Sequence, residues 1–181
     1  MKFIKLFLLI LLSFNISVKA NSNDKLQGLL KEGGKLIFIR HAIAPGGGDP
    51  IDFNILRCET QRNLSKEGIA QSKNIGKFFS ENNIKIDKVL SSEWCRCKQT
   101  AQYAFNKYEL KSFLNSFFSA KFASNKNKQI YHLKKYIEEW KGNKNLVFVT
   151  HYVVIKELLG YAPSSGEIII SDRNLNLIET I

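Results

Sequence analysis

A chain of 181 residues with 27 basic and 16 acidic side chains, net charge +11, is long enough for one domain with a substantial core. Much of the excess is lysine scattered over helix-like stretches such as 121–135, which reads as a solvated face. No RNA- or DNA-binding signature accompanies it, so nucleic acid is not an expected partner. The three cysteines, Cys58, Cys95 and Cys97, form no Cys-x-x-Cys and have no histidine at zinc spacing, which argues against a metal site and leaves one thiol over in any pairing.

The first twenty residues carry a basic start, Met1 to Lys5, and an apolar run, Leu6 to Val18. Small residues at Val18 and Ala20 follow, in the pattern a signal peptidase reads. The run is shorter than the roughly 20 apolar residues of a spanning helix and is polar towards its end. Residues 1–20 are therefore expected to be a signal peptide and 21–181 a single domain. Once the peptide is removed the chain keeps no stable membrane span, its net charge falls from +11 to +8 with Lys2, Lys5 and Lys19, and its destination is periplasmic or extracellular. Export makes a disulfide permissible.

The elements then alternate. Lys35 to Ile39, after Gly33-Gly34, is a short apolar run that suits a strand buried on both faces. Ser65 is placed to cap a helix running to about Asn82, with Ile69, Ile75, Phe78 and Phe79 on one side. Lys88 to Leu90 gives a second strand, followed by a helix through Gln99-Thr100-Ala101 to about Asn106. The aromatic-rich stretch from Tyr108 to Phe122 has no clear period. Lys126 to Lys141 is an amphipathic helix whose Ile130, Leu133, Tyr136, Ile137 and Trp140 face the core. Leu146 to Val149 is a third buried strand with a helix from Val153 to Leu159 after it. Glu167 to Ile170 and Leu175 to Glu179 are terminal strands joined by a turn at Asp172-Arg173-Asn174. Such alternation predicts an α/β domain, a mostly parallel sheet with helices on both faces.

Open sheets of this kind bind ligands beyond the carboxyl ends of their strands. Arg40-His41 closes the first predicted strand, Arg96 follows the second by a short turn, and His151 closes the third. A lone histidine there is weak evidence; two histidines and two arginines converging on one sheet edge point to a site for an oxyanion.

The residues around these four sharpen the reading. Phe38-Ile39-Arg40-His41-Ala42 resembles the Arg-His-Gly signature of the histidine phosphatase superfamily, with alanine in place of glycine. Ser91-Ser92-Glu93-Trp94-Cys95-Arg96-Cys97-Lys98-Gln99-Thr100-Ala101 is similar to that family's second block, and Val149-Thr150-His151 to its third. Arg62-Asn63-Leu64-Ser65 with Gly68 and Gln71 resembles a segment often found between the first two. The four blocks stand in the family's order over most of residues 35 to 160. The resemblance implies a three-layer α/β/α sandwich of the phosphoglycerate mutase type and a hydrolase that needs no cofactor and no metal. In it His41 attacks phosphorus, Arg40, Arg96 and Arg62 hold the phosphoryl oxygens, and His151 donates to the same oxygens. Positive neighbours are expected to keep His41 neutral.

Two departures stand out. The family's glutamate after the second block has no counterpart in Phe113-Leu114-Asn115-Ser116-Phe117, and Tyr152, not aspartate, follows His151. Asp49, in the loop Gly46-Gly47-Gly48-Asp49-Pro50, and Glu167 are the candidates left for substrate binding or proton donation, each set against a structural role. If Arg62 and Arg96 reach one phosphate, as the resemblance implies, their neighbours Cys58 and Cys95 or Cys97 come close. Cys95 is the favoured partner, because the family has a small buried alanine where Cys97 stands; three separate thiols are the alternative. The expected function is an exported phosphomonoesterase of the histidine acid phosphatase type, acting on a small phosphorylated substrate. Resemblance to the lipopolysaccharide core heptose phosphatases suggests a sugar phosphate or an envelope phosphomonoester. A non-catalytic phosphate- or polyanion-binding protein is the alternative, and an envelope interaction module rests on charge alone.

Overall fold

The computed structural model describes residues 25–181; the expected signal peptide lies outside them. The described chain opens in helix over residues 25–32, here α1. Next come β1 (Leu36–Arg40), a 3-10 turn (Cys58–Thr60), α2 (Lys66–Glu81), β2 (Ile86–Ser91) and α3 (Cys95–Phe105). After these follow β3 (Glu109–Leu110), a second 3-10 turn (Ser112–Leu114), α4 (Ala120–Ala123), α5 (Lys126–Glu139) and β4 (Asn145–Thr150). The chain closes with α6 (Tyr152–Leu159), β5 (Ile168–Ser171) and β6 (Leu177–Thr180).

One sheet runs β3-β2-β4-β1-β5-β6. The pairs β3–β2, β2–β4 and β4–β1 are parallel, whereas β5 and β6 are antiparallel additions at the β1 side. Strand alternation explains the three layers. Ile37, Ile39, Val147 and Val149 point to one face and pack with Leu30, Ile75, Phe79 and Ala101 from α1, α2 and α3. Leu36, Phe38, Leu146 and Phe148 point to the other, against Leu133, Ile137, Val154 and Ile155 from α5 and α6. Phe38 and Phe148 stack with ring centroids 4.7 Å apart, tying β1 to β4 just below the ends that carry chemistry.

α2 starts where the sequence predicts: Ser65 Oγ accepts from the Gly68 amide at 3.1 Å. Its fully buried positions are Gly68, Ser72, Ile75 and Phe79, with Ile69 and Phe78 only half-buried. The face is turned towards Gly68 because the helix presses on the chain that leaves β1. A Cβ at Gly68 would overlap the Ile43 carbonyl.

A disulfide joins Cys58 to Cys95 with Cα atoms 5.6 Å apart, and Cys97 is buried and free. The bond closes a loop of 37 residues' separation, for which chain-entropy arguments give about 4 kcal/mol of stabilisation. It clips the long loop after β1 to the first turn of α3, where Arg96 sits. Burial pushes the Cys97 thiol up to about 12, so it stays protonated and inert.

Candidate active site

β1 and β4 run side by side in register, Arg40 opposite Thr150, so the residues that follow each strand emerge together. His41 donates its backbone N–H to the Thr150 carbonyl at 2.9 Å, and its ring meets that of His151 edge-on at 5.4 Å. On the other side of β4, β2 ends at Ser91 and α3 begins at Cys95, which brings Arg96 over the same edge.

The His41 ring has a defined tautomer. Nδ1 lies 2.9 Å from the Ala42 carbonyl, which can only accept, so Nδ1 carries the hydrogen. Nε2 therefore keeps its lone pair, and that lone pair accepts from Arg96 Nε at 3.2 Å. Burial, the Arg96 charge and, more weakly, Arg40 and Arg62 hold the His41 pKa down at about 3, against a smaller upward pull from the Ala42 carbonyl. His151 is lowered for the same reasons, burial first and Arg96 next.

Three guanidinium groups surround this nitrogen. Arg96 is 3% exposed and directs Nη1 to Asp49 Oδ1 at 2.7 Å and Nη2 to Asp49 Oδ2 at 3.3 Å. Arg62 Nη1 donates to the carbonyls of Ala44 at 2.9 Å and Gly46 at 2.6 Å, which curls the glycine loop around it; Gly46 takes a left-handed φ of 105° to present that carbonyl. Arg40 Nη1 donates to Pro163 at 2.8 Å, and its guanidinium lies 5.4 Å over the Tyr152 ring. The Nε–H groups of Arg40 and Arg62 are buried and meet no acceptor among the described residues. Buried donors without partners are uncommon. Two of them beside an arginine and a neutral imidazole describe a receptor for a multivalent oxyanion.

The cleft over this edge has a volume of about 580 Å³; Arg40, Arg62, Arg96 and Lys121 line it, and Asp49 is its sole carboxylate among the described residues. Asp49 also accepts from Trp94 Nε1 at 3.2 Å. Burial alone would raise its pKa, but the Arg96 charge and the bonds from Arg96 and Trp94 outweigh that and hold it below the usual carboxylate range. Glu167 is not brought into the cleft: its carboxylate accepts from the Tyr161 hydroxyl and, at 2.6 Å, from the Ser164 amide. It braces the turn before β5, and its charge reaches the site only as a favourable background for Arg40.

Sequence reasoning missed the support under His151. Ser92 Oγ lies 3.0 Å from His151 Nε2 and 3.0 Å from Asn115 Oδ1, and Asn115 Nδ2 donates to Glu93 Oε2 at 2.6 Å. With Asn115 Oδ1 accepting the Ser92 hydrogen, Ser92 accepts from Nε2–H, leaving His151 Nδ1 towards Arg96 at 3.5 Å. Reversing the hydroxyl turns Nδ1 into a donor facing the cleft. The repeated Ser91-Ser92 was the only trace of this in the chain. Other block residues are scaffolding: Thr100 Oγ1 accepts from the Ala42 amide at 3.0 Å, and Gln71 ties Ile43 to Ser165. Among the described residues, no three His, Cys, Asp or Glu side chains are grouped to hold a metal ion.

The depressed histidines set a stability expectation. The unfolded chain binds protons at these two residues below about pH 6.5, while the folded chain refuses one at His41 until about pH 3. Stability should therefore fall as pH drops from about 6.5 towards about 3, read as the urea midpoint at fixed ionic strength. The fall should be shallower in His41→Asn; identical slopes would contradict a buried neutral imidazole.

No curated protein matches the chain by sequence. The family model described as histidine phosphatase superfamily (branch 1) matches residues 36–114. Among solved structures, the protein histidine phosphatase SixA complexed with tungstate is 17% identical over 81% of this chain and 96% of its own, with a TM-score of 0.55. A phosphoglycerate mutase from Thermus thermophilus is 14% identical over 81% and 98%, TM-score 0.56. The product of open reading frame Rv3214 from Mycobacterium tuberculosis is 15% identical over 75% and 89%, TM-score 0.56. These likenesses concern the fold, and the matched family segment contains Arg40, His41, Arg62 and Arg96 in one stretch. Family model, sheet order and strand-end histidines point the same way: residues 36–114 match the histidine phosphatase superfamily (branch 1), and the fold is that of the phosphoglycerate mutase-like structures.

Proposed function

We propose that this chain is an exported phosphomonoesterase that works without a metal through a phosphohistidine on His41, with a sugar phosphate or an envelope phosphomonoester as substrate. The observation that carries the reading is the unprotonated Nε2 of His41, its tautomer fixed by the Ala42 carbonyl and its lone pair turned to Arg96. Anion capture alone calls for arginines and amides; it has no use for a neutral nucleophile. The SixA structure's tungstate is a tetrahedral oxyanion of the kind such a cluster would hold.

In the proposed reaction Nε2 attacks phosphorus as the bond from phosphorus to the leaving oxygen breaks. A proton goes to that oxygen, and water then cleaves the N–P bond, returning the lone pair to Nε2 and releasing phosphate. Arg40, Arg62 and Arg96 neutralise the charge that a metal would otherwise carry. Asp49 is the proposed proton carrier: ionised while paired with Arg96, it takes a proton from solvent once phosphoryl oxygens take over that guanidinium, passes it to the leaving oxygen, and recovers a proton from the water that cleaves the N–P bond. The basic signal-like start and the Cys58–Cys95 disulfide support an oxidising destination.

Hydrolysis of a generic phosphomonoester such as phenyl phosphate tests the reading. Phosphate release should persist undiminished in excess chelator. Strict metal dependence, or phosphate binding without turnover, would replace it with a different mechanism or with the binding-protein alternative.

A further inference from the structure

Beside the catalytic cleft lies a second one of about 560 Å³. The two share Phe53, Trp94, Ser116, Lys121 and Phe122 as a common wall, so a leaving group that points away from His41 along this wall enters the second cleft. The wall is aromatic: Phe53 stacks on Trp94 at 5.0 Å, and Phe122 stands edge-on to both at 5.6 and 5.4 Å.

The rest of the second cleft mixes Ile55, Phe113 and His132 with amides and cations. Asn54 and Asn125 contribute side-chain amides, Asn115 and Gln129 amides already engaged within the protein, Lys121 and Lys128 ammonium groups, and no carboxylate among the described residues lines it. Neither lysine is paired with an acid among the described residues. Gln129 is 8% exposed and spends both amide hydrogens on the Ser112 and Asn115 carbonyls at 2.9 Å, which leaves its Oε1 buried without a partner among the described residues. Amides offer a donor and an acceptor side by side, as hydroxyl groups require. An aromatic wall receives the apolar face of a ring, and unpaired lysines call for an anion.

We propose that this second cleft is the leaving-group subsite and that it takes a sugar ring carrying a second anionic group. The ring lies against Phe53 and Phe122, its hydroxyls meet Asn54 and Asn125, and Lys128 reads the distal charge. The proposal rests on the phosphomonoesterase reading and narrows its substrate to sugars with two anionic groups, of which the catalytic cleft holds one.

The test compares kcat/KM for glucose 1,6-bisphosphate and glucose 6-phosphate in the wild type and in Lys128→Ala, a residue that lines the second cleft alone. The wild type should prefer the bisphosphate by about tenfold, the scale of one charge-assisted contact. Lys128→Ala should erase that preference and leave the monophosphate within about twofold of wild type. Equal losses on both substrates, or no wild-type preference, would overturn the proposal. So would a gain seen with 4-carboxyphenyl phosphate but not with the bisphosphate, which would make the ligand an aromatic acid. A binding arm separates this from failure of the enzyme reading: with the catalytic cleft saturated by tungstate, calorimetry should still detect glucose 6-phosphate. That affinity should drop at least about fivefold in Lys128→Ala. Binding without hydrolysis would sink the phosphatase and keep the subsite; no binding would sink the subsite.

Discussion

His41→Ala should reduce phosphomonoester hydrolysis to background while the protein folds as before. The substitution removes the unprotonated, buried ring nitrogen that Arg96 holds in place, so no N–P bond can form. The fold should survive because His41 ties into the sheet through its backbone N–H to Thr150, which alanine retains, and because its ring lies beyond the packed layers of β1. Rapid quenching of the wild type with labelled substrate should trap an acid-labile phosphoenzyme that the variant lacks. Turnover within about tenfold of wild type, with an unchanged circular dichroism spectrum, would remove His41 from the mechanism.

Arg96→Ala should cost about a hundredfold or more in kcat, the scale of losing one preorganised electrostatic group at a reacting centre. The effect has two sources that a second variant separates. The guanidinium presents planar donors to the phosphoryl oxygens, and it also neutralises Asp49 at 2.7 Å. Without it Asp49 faces the incoming phosphate as an unpaired carboxylate. Arg96→Lys keeps the charge and loses the fork, and Arg96→Ala with Asp49→Asn removes both charges. If the double variant recovers substrate affinity and its kcat still falls well below that of Asp49→Asn alone, Arg96 acts on the transition state. If KM alone rises in Arg96→Ala and kcat stands, Arg96 merely steers substrate.

The framework was legible because its signals are local. β1 and β4 are buried on both faces, so Leu36 to Ile39 and Leu146 to Val149 show as uninterrupted apolar runs. α2 announces itself through Ser65. The direction of β5 was not legible, since Ile168 to Ile170 reads identically in a parallel or an antiparallel strand, and only its pairing with β1 decides. Of the site, the strand-end residues could be placed because strand ends converge. Asp49 could be named but not located, as nothing within a glycine loop reveals which arginine it will meet. Glu167 directly follows Ser165-Gly166 and stands one residue before β5, a position that looked accessible to the cleft. Its neighbours Tyr161 and Ser164 claim the carboxylate first. The Ser92–Asn115 support spans 23 positions between two loops, a distance that no periodicity bridges.

The Asp49–Arg96 pair makes selectivity an exchange reaction. Any anion that reaches Arg96 must displace a carboxylate already seated there or share its guanidinium, so affinity measures the newcomer against an internal rival. A monoanion such as a sulfate ester offers no more charge than Asp49 and gains little by replacing it. A phosphomonoester dianion brings a second charge to the same three guanidinium groups. The loop that holds Asp49 should thereby weight the cleft towards dianions over monoanions.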